Sequence, residues 1–174
     1  MKKYGVLFVM MLFFAVCLAL CAELPGAAEI KAVTDGKQDV AAKVAACMDI
    51  AKANPAVGAQ AVLAAAKVLH TDKKFNESMA LVEAGIRDYP AQTNGVALLV
   101  YHKAACLGAL DRFPEALECL INGIRDYPSA SEYVRGNLNY YASMICRFKL
   151  NDIARAASFA RVAADQFPPG KNSL

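Results

Sequence analysis

The sequence predicts an all-α protein, an α-solenoid of three helix-turn-helix repeats with one further N-terminal helix ahead of them. Three observations lead there. The hexapeptide Gly-Ile-Arg-Asp-Tyr-Pro stands at 85–90 and again at 123–128, an offset of 38 residues. Self-similarity at a period of roughly 20 to 50 residues marks stacked supersecondary units. Pro55, Pro90, Pro128 and Pro168 follow at spacings of 35, 38 and 40 residues. Each closes a helix, because proline has no amide donor and disfavours helical backbone in the residue before it. From Lys37 onward apolar residues recur at helical spacing, and no stretch alternates with the period of two that a strand requires.

The elements follow in order. Residues 1–28 read as a secretory signal: Lys2 and Lys3, an unbroken apolar run over 6–20, then Ala22, Pro25, Gly26, Ala27 and Ala28. Cleavage after Ala22 or after Ala28 fits this layout. The run is also near the minimum length for a spanning helix, so an uncleaved inner-membrane anchor is the alternative. Leu18-Ala19-Leu20-Cys21 resembles a bacterial lipobox, with bulky Leu20 before the cysteine where a small residue is usual. Lipidation at Cys21 is the third alternative. Residues 29–36, with Thr34, Asp35 and Gly36, read as a linker, and 38–53 as a lone helix before Pro55.

The helical domain spans 37–168, in repeats of about 56–90, 91–128 and 129–168, with a tail at 169–174. Their first helices are expected near 56–70, 94–109 and 131–148, and their second helices near 76–89, 114–127 and 152–167. Turns at Asp72-Lys73-Lys74, Asp111-Arg112 and Asn151-Asp152 join the members of each pair. Pro114 fits the first turn of its helix, with Glu115 beside it favoured by the positive helix start. In the second helix of the middle repeat, Glu115, Glu118, Asn122, Arg125 and Asp126 occupy a polar arc of about 100°. So narrow an arc implies burial on two flanks. In the last helix the arc widens to about 180°, as at the end of a stack. Phe159 and Val162 lie inside it and are the expected end contact with another subunit or partner.

Composition bounds the function. The 174 residues carry a formal charge of +3 and no dense basic run, which argues against nucleic-acid binding. No Cys-x-x-Cys, Gly-rich phosphate loop or nucleophile elbow occurs. His70 and His102 lie on successive first helices, and two imidazoles are half a metal site. No further ligand stands at ligand spacing, so neither a metal nor a cofactor is expected. Beyond Cys17 and Cys21, the chain has Cys47, Cys106, Cys119 and Cys146. One or two disulfides and buried free thiols are both open at this point.

The second helices resemble the tetratricopeptide repeat. That family sets an aromatic or large apolar residue, a small one, an apolar one, a small one and a closing proline in fixed order. The middle repeat supplies Phe113, Ala116, Leu120, Gly123 and Pro128; the first supplies Phe75, Ser78, Val82, Gly85 and Pro90. The last supplies Ile153, Ala156, Ala160, Ala163 and Pro168. The family's tryptophan is missing, and Lys103 stands where leucine is usual. In the third first-helix the apolar stripe is Tyr141, Met144, Ile145 and Phe148, with Arg147 at the expected aromatic position, a register shift in keeping with the longer 40-residue spacing.

The resemblance implies a non-catalytic adaptor of the bacterial envelope that holds a peptide or partner helix in a groove lined by the first helices. On this chain the groove would present Gln60, Lys67, His70, Tyr101, His102, Ala105, Tyr141, Ile145 and Lys149. Two rivals stand beside that reading. One is a structural protein that self-associates into a homo-oligomer through its ends. The other is a metal protein or enzyme built on His70 and His102.

Overall fold

The structure is a computed structural model that describes residues 26–167. The apolar run, the lipobox with Cys21, Pro168 and the tail lie outside the described residues. Within them the chain is all-α: eight α-helices, one short 3-10 turn at Pro55–Val57 and no strand. The helices are α1 (Ala27–Asp35), α2 (Val40–Ala53), α3 (Gly58–Thr71), α4 (Phe75–Asp88), α5 (Thr93–Ala109), α6 (Phe113–Asp126), α7 (Glu132–Phe148) and α8 (Ile153–Gln166). None of them is long and apolar enough to cross a membrane.

Two expectations for the N-terminal part are corrected. The segment expected as a linker is helix α1, and α2 is its packed partner rather than a lone helix. Thr34, Asp35 and Gly36 look like linker punctuation but form the end of α1, where the Gly36 amide bonds the Val33 carbonyl at 3.3 Å. A helix of nine residues is marginal by propensity alone. Packing supplies the difference: Ile30 and Val33, three residues apart, sit against Cys47, Ala64 and Ala65. Lys43 Nζ also donates to the Thr34 carbonyl at 2.7 Å, which ties the end of α1 to α2. Asp39 caps α2 through the Ala42 amide at 2.7 Å.

Each helix packs on its sequence neighbours, and α1, α3, α5 and α7 also pack in succession on one another. The three pair turns share one device. Lys73, Asp111 and Asn151 take φ of 62°, 59° and 54°, the left-handed region. In the first turn the Lys74 amide bonds the Leu69 carbonyl and the Lys73 amide bonds the His70 carbonyl. Arg112 and Asp111 repeat this pattern on Leu107 and Gly108. The third unit is longer because both its connections are. Four residues separate α4 from α5 but five separate α6 from α7; three separate α5 from α6 but four separate α7 from α8. The register shift expected in α7 therefore originates in the loops on either side of it.

The small residues of the second helices mark close approaches. A Cβ on Gly85 would stand 2.6 Å from Val62 Cγ1 and 2.9 Å from Leu99 Cδ1. One on Gly123 would stand 2.6 Å from Val100 Cγ1. Ser78, Ala116, Ala156 and Ala163 are buried in the same way. Ile153, expected to pack, is 60% exposed, and Ala160 is exposed as well. Both belong to α8, the last helix among the described residues, which among them has a substantial neighbour only in α7. Side chains tie successive units together: Gln92 accepts from the Ala59 amide and donates to the Pro55 carbonyl, and Asn94 accepts from the Ser131 amide.

Candidate functional site

The expected groove residues divide into two groups. His102 and Ile145 are buried, and Tyr141 is mostly so. These three are packing residues, because the first helices stack face to face and consume the side chains that would otherwise line a groove. Tyr101 and Tyr141 lie against each other across the α5–α7 contact, with ring centroids 5.2 Å apart. Burial pushes the Tyr141 hydroxyl up to about 12. Gln60, Lys67, His70 and Ala105 are half-buried, and Lys149 is exposed with Nζ 4.5 Å above the Phe113 ring.

His70 and His102 come together, as part of a buried polar knot joining α3, α4 and α5. Their ring centroids are 5.3 Å apart, and Phe75 packs on His70 at 5.0 Å. Ser78 Oγ donates to the Ala66 carbonyl at 2.8 Å. Having spent its proton there, it accepts from His102 Nε2 at 3.1 Å and from the Cys106 thiol at 3.4 Å. Burial lowers the His102 pKa to about 3, with His70 and Lys67 adding to the effect, and burial lowers that of His70 too. Both rings are therefore neutral at pH 7. His70 Nε2 is buried without a hydrogen-bond partner. No cluster of three or more His, Cys, Asp or Glu side chains able to hold a metal ion occurs among the described residues. Cys47, Cys106, Cys119 and Cys146 are free thiols, and burial raises the pKa of each.

The expected end contact is also divided. Val162 is 37% exposed, but Phe159 packs against the core and, with Ile121, Ile124, Arg155 and Ser158, lines a hollow of about 210 Å³ between α6 and α8. Phe148 and Ile153, each 60% exposed, are the most open large apolar side chains among the described residues.

The larger cavity lies on the opposite side of the first helices, where sequence reasoning did not look. A cleft of about 430 Å³ runs between α4 and α6 with α5 as its floor. Met79, Ile86, Val100, Leu107 and Tyr127 form its apolar surface. Its rim carries Glu83, Glu115, Glu118 and Asp126 against Lys103 and Arg112. Lys103 bonds Glu83 at 2.7 Å, Arg112 pairs with Glu115, and Asp126 pairs with the neighbouring Arg125 at 2.8 Å. Glu118 has no ion-pair partner among the described residues. The signal was present in the sequence, since the polar arc of α6 contributes Glu115, Glu118, Asn122 and Asp126 to this wall. Periodicity identifies such an arc as a solvated face but does not say that a parallel arc on α4 faces it. No known protein-family model matches the chain, and no curated protein does.

Proposed function

We propose that this chain is an exported, non-catalytic protein-interaction module whose helix pairs form an α-solenoid resembling the tetratricopeptide-repeat adaptors. The observation that carries the reading is the recurrence of one pair geometry. The left-handed turn residue, the small residue at the helix contact and the stacking of α3, α5 and α7 recur at the offset seen in the sequence. Such an array leaves a surface continuous across units, the usual use of which is to hold another chain. The α4/α6 cleft is the part of it with the shape of a binding site, an apolar floor with a polar rim. The N-terminal layout supports export to the periplasm, with an inner-membrane anchor or lipid anchor as the variants.

The test is site-specific photocross-linking in intact cells with the probe at Asn122 in the cleft, beside a control at exposed Lys52 on α2, outside the cleft. A discrete adduct from Asn122, lost in Glu118→Arg while helicity by circular dichroism is unchanged, supports the reading. Adducts from neither position, or the same adducts from both, would sink it. Tyr141→Ala is a poor probe, because it empties packed space and weakens the fold itself.

A further inference from the structure

We propose that a second copy of this chain docks the apolar knob at its α7/α8 turn, Phe148 with Ile153, into the α4/α6 cleft. Three observations combine. Phe148 ends α7 and Ile153 begins α8, on either side of a four-residue turn, and each is 60% exposed, apolar surface left to water. Two cations belong to this segment: the Arg147 guanidinium lies 5.0 Å from the Phe148 ring centroid, and exposed Lys149, with its Nζ 4.5 Å from the Phe113 ring centroid, follows in sequence. The cleft, of about 430 Å³, has apolar side chains on its floor and a charged rim, on which Glu118 has no ion pair among the described residues. An aromatic and a branched aliphatic side chain fit within a cleft of that size, and a cation beside them meets the Glu118 carboxylate. Charge complementarity of this kind sets register and partner choice more than raw affinity.

The occupant is a second copy rather than the same molecule. Knob and cleft are both built on well-packed helices, and the α7/α8 turn is only four residues long, too short to fold back. The contact goes beyond the adaptor reading and needs no other protein, so it is tested on purified protein alone.

Sedimentation equilibrium of the full-length chain, in mild detergent if the N-terminal stretch is retained, reads the association directly. Phe148→Asp and Glu118→Lys each weaken self-association about tenfold or more, and adding Lys149→Glu to Glu118→Lys restores it. Phe148 and Glu118 are exposed, so neither change threatens the fold. A wild-type chain that stays monomeric at the highest concentration reached overturns the proposal. So does association that both single variants leave unchanged, which would trace it to the N-terminal stretch or to another surface. Oxidative cross-linking gives a geometric check. Ile153→Cys forms a disulfide dimer with Cys119 of the partner subunit in the cleft, and Cys119→Ser removes it. A dimer that persists without Cys119 counts against this docking.

Discussion

The junction of α3 with α5 and the junction of α5 with α7 are built from equivalent positions and are chemically opposite. The first holds His70, Ser78, His102 and Cys106; the second, at offsets of 38 and 40 residues, holds Gly108, Ala116, Ala142 and Cys146. Only the cysteine is kept. At the first junction a serine hydroxyl links two helices and a carbonyl, and two neutral imidazoles fill the remaining space. At the second, Gly108 leaves room for the Tyr141 hydroxyl, which lies 2.6 Å from where a Cβ would be, and Ala116, Ala142 and Cys146 belong to the hydrophobic cluster there. Two solutions to one packing problem within a single chain indicate that the repeat constrains volume and backbone approach more than polarity. They also predict that the two junctions fail under different conditions.

The largest effect is expected at the apolar junction. Leu138 on α7 is fully buried against α6 and α5, so Leu138→Ala removes packed volume with nothing to refill it. A cost of about 2–5 kcal/mol is expected, read as a lower urea midpoint. Ile153→Ala, on the 60% exposed side of α8, should cost less than about 1 kcal/mol in a chain kept monomeric by Glu118→Lys. Equal losses would mean that α8 is more buried than its packing indicates.

Acid separates the junctions next. His102 has a pKa of about 3 in the folded chain, against about 6.5 when unfolded. The unfolded state therefore binds the proton first as pH falls, and stability is lost from about pH 6.5 downward. At pH 5 the loss from His102 alone is roughly 2 kcal/mol, and His70 adds in the same direction. Lys67 is the cation on the neighbouring turn of α3 that disfavours a charged ring, and no carboxylate enters the knot to relieve it. Hydrogen exchange should show protection lost first in α3 and α4, with α7 protected to lower pH. In His102→Gln the slope between pH 6.5 and 5 should flatten. An unchanged slope would place the acid sensitivity elsewhere.

How much of this was legible in the sequence follows from the same comparison. The six pair helices, the closes at Pro90 and Pro128 and the close approach at Gly85 and Gly123 could be read, because each depends on local spacing and backbone chemistry. Helix α1 was missed because its stability comes from Ile30 and Val33 packing on distant residues, which outweighs the breakers at its end. The burial of His102, Ile145 and Tyr141 was missed for a related reason. Periodicity assigns a residue to a face, and whether that face meets solvent depends on how closely the next first-helix stacks. Ile153 failed in the opposite sense: it stands at the position that packs in the other second helices, on a helix whose substantial packing among the described residues is on α7 alone.

The glycines give a smaller and graded test. Gly85→Ala brings a methyl against two side chains at the first junction, Val62 and Leu99, whereas Gly123→Ala meets only Val100 at a comparable distance. Valine is stiff at χ1 and yields poorly. Both substitutions should destabilise, by about 1–3 kcal/mol, with Gly85→Ala the worse. The reverse order would mean that the second junction is the tighter one, against the approach distances of the two Cβ positions to their neighbours.

The smallest effect is a gain. Lys73, Asp111 and Asn151 hold the same left-handed backbone at the three pair turns, and they differ in how well they tolerate it. A left-handed lysine is strained by its Cβ, whereas asparagine and, less readily, aspartate visit this region. Glycine removes the strain but loosens the unfolded chain, so the net benefit is the difference of two terms. Lys73→Gly should stabilise by about 0.5–1 kcal/mol, Asp111→Gly by less, and Asn151→Gly hardly at all. Lys73 forms no ion pair among the described residues; Lys74, its neighbour, is the one that holds Asp72 at 3.0 Å. Losing the Lys73 charge therefore does not confuse the comparison. Thermal unfolding of the three single variants at one pH above 7, where both histidines are neutral in either state, would rank them. A stabilisation that is largest at Asn151 would show that the third turn, with its extra residue, carries strain that the left-handed angle alone does not reveal.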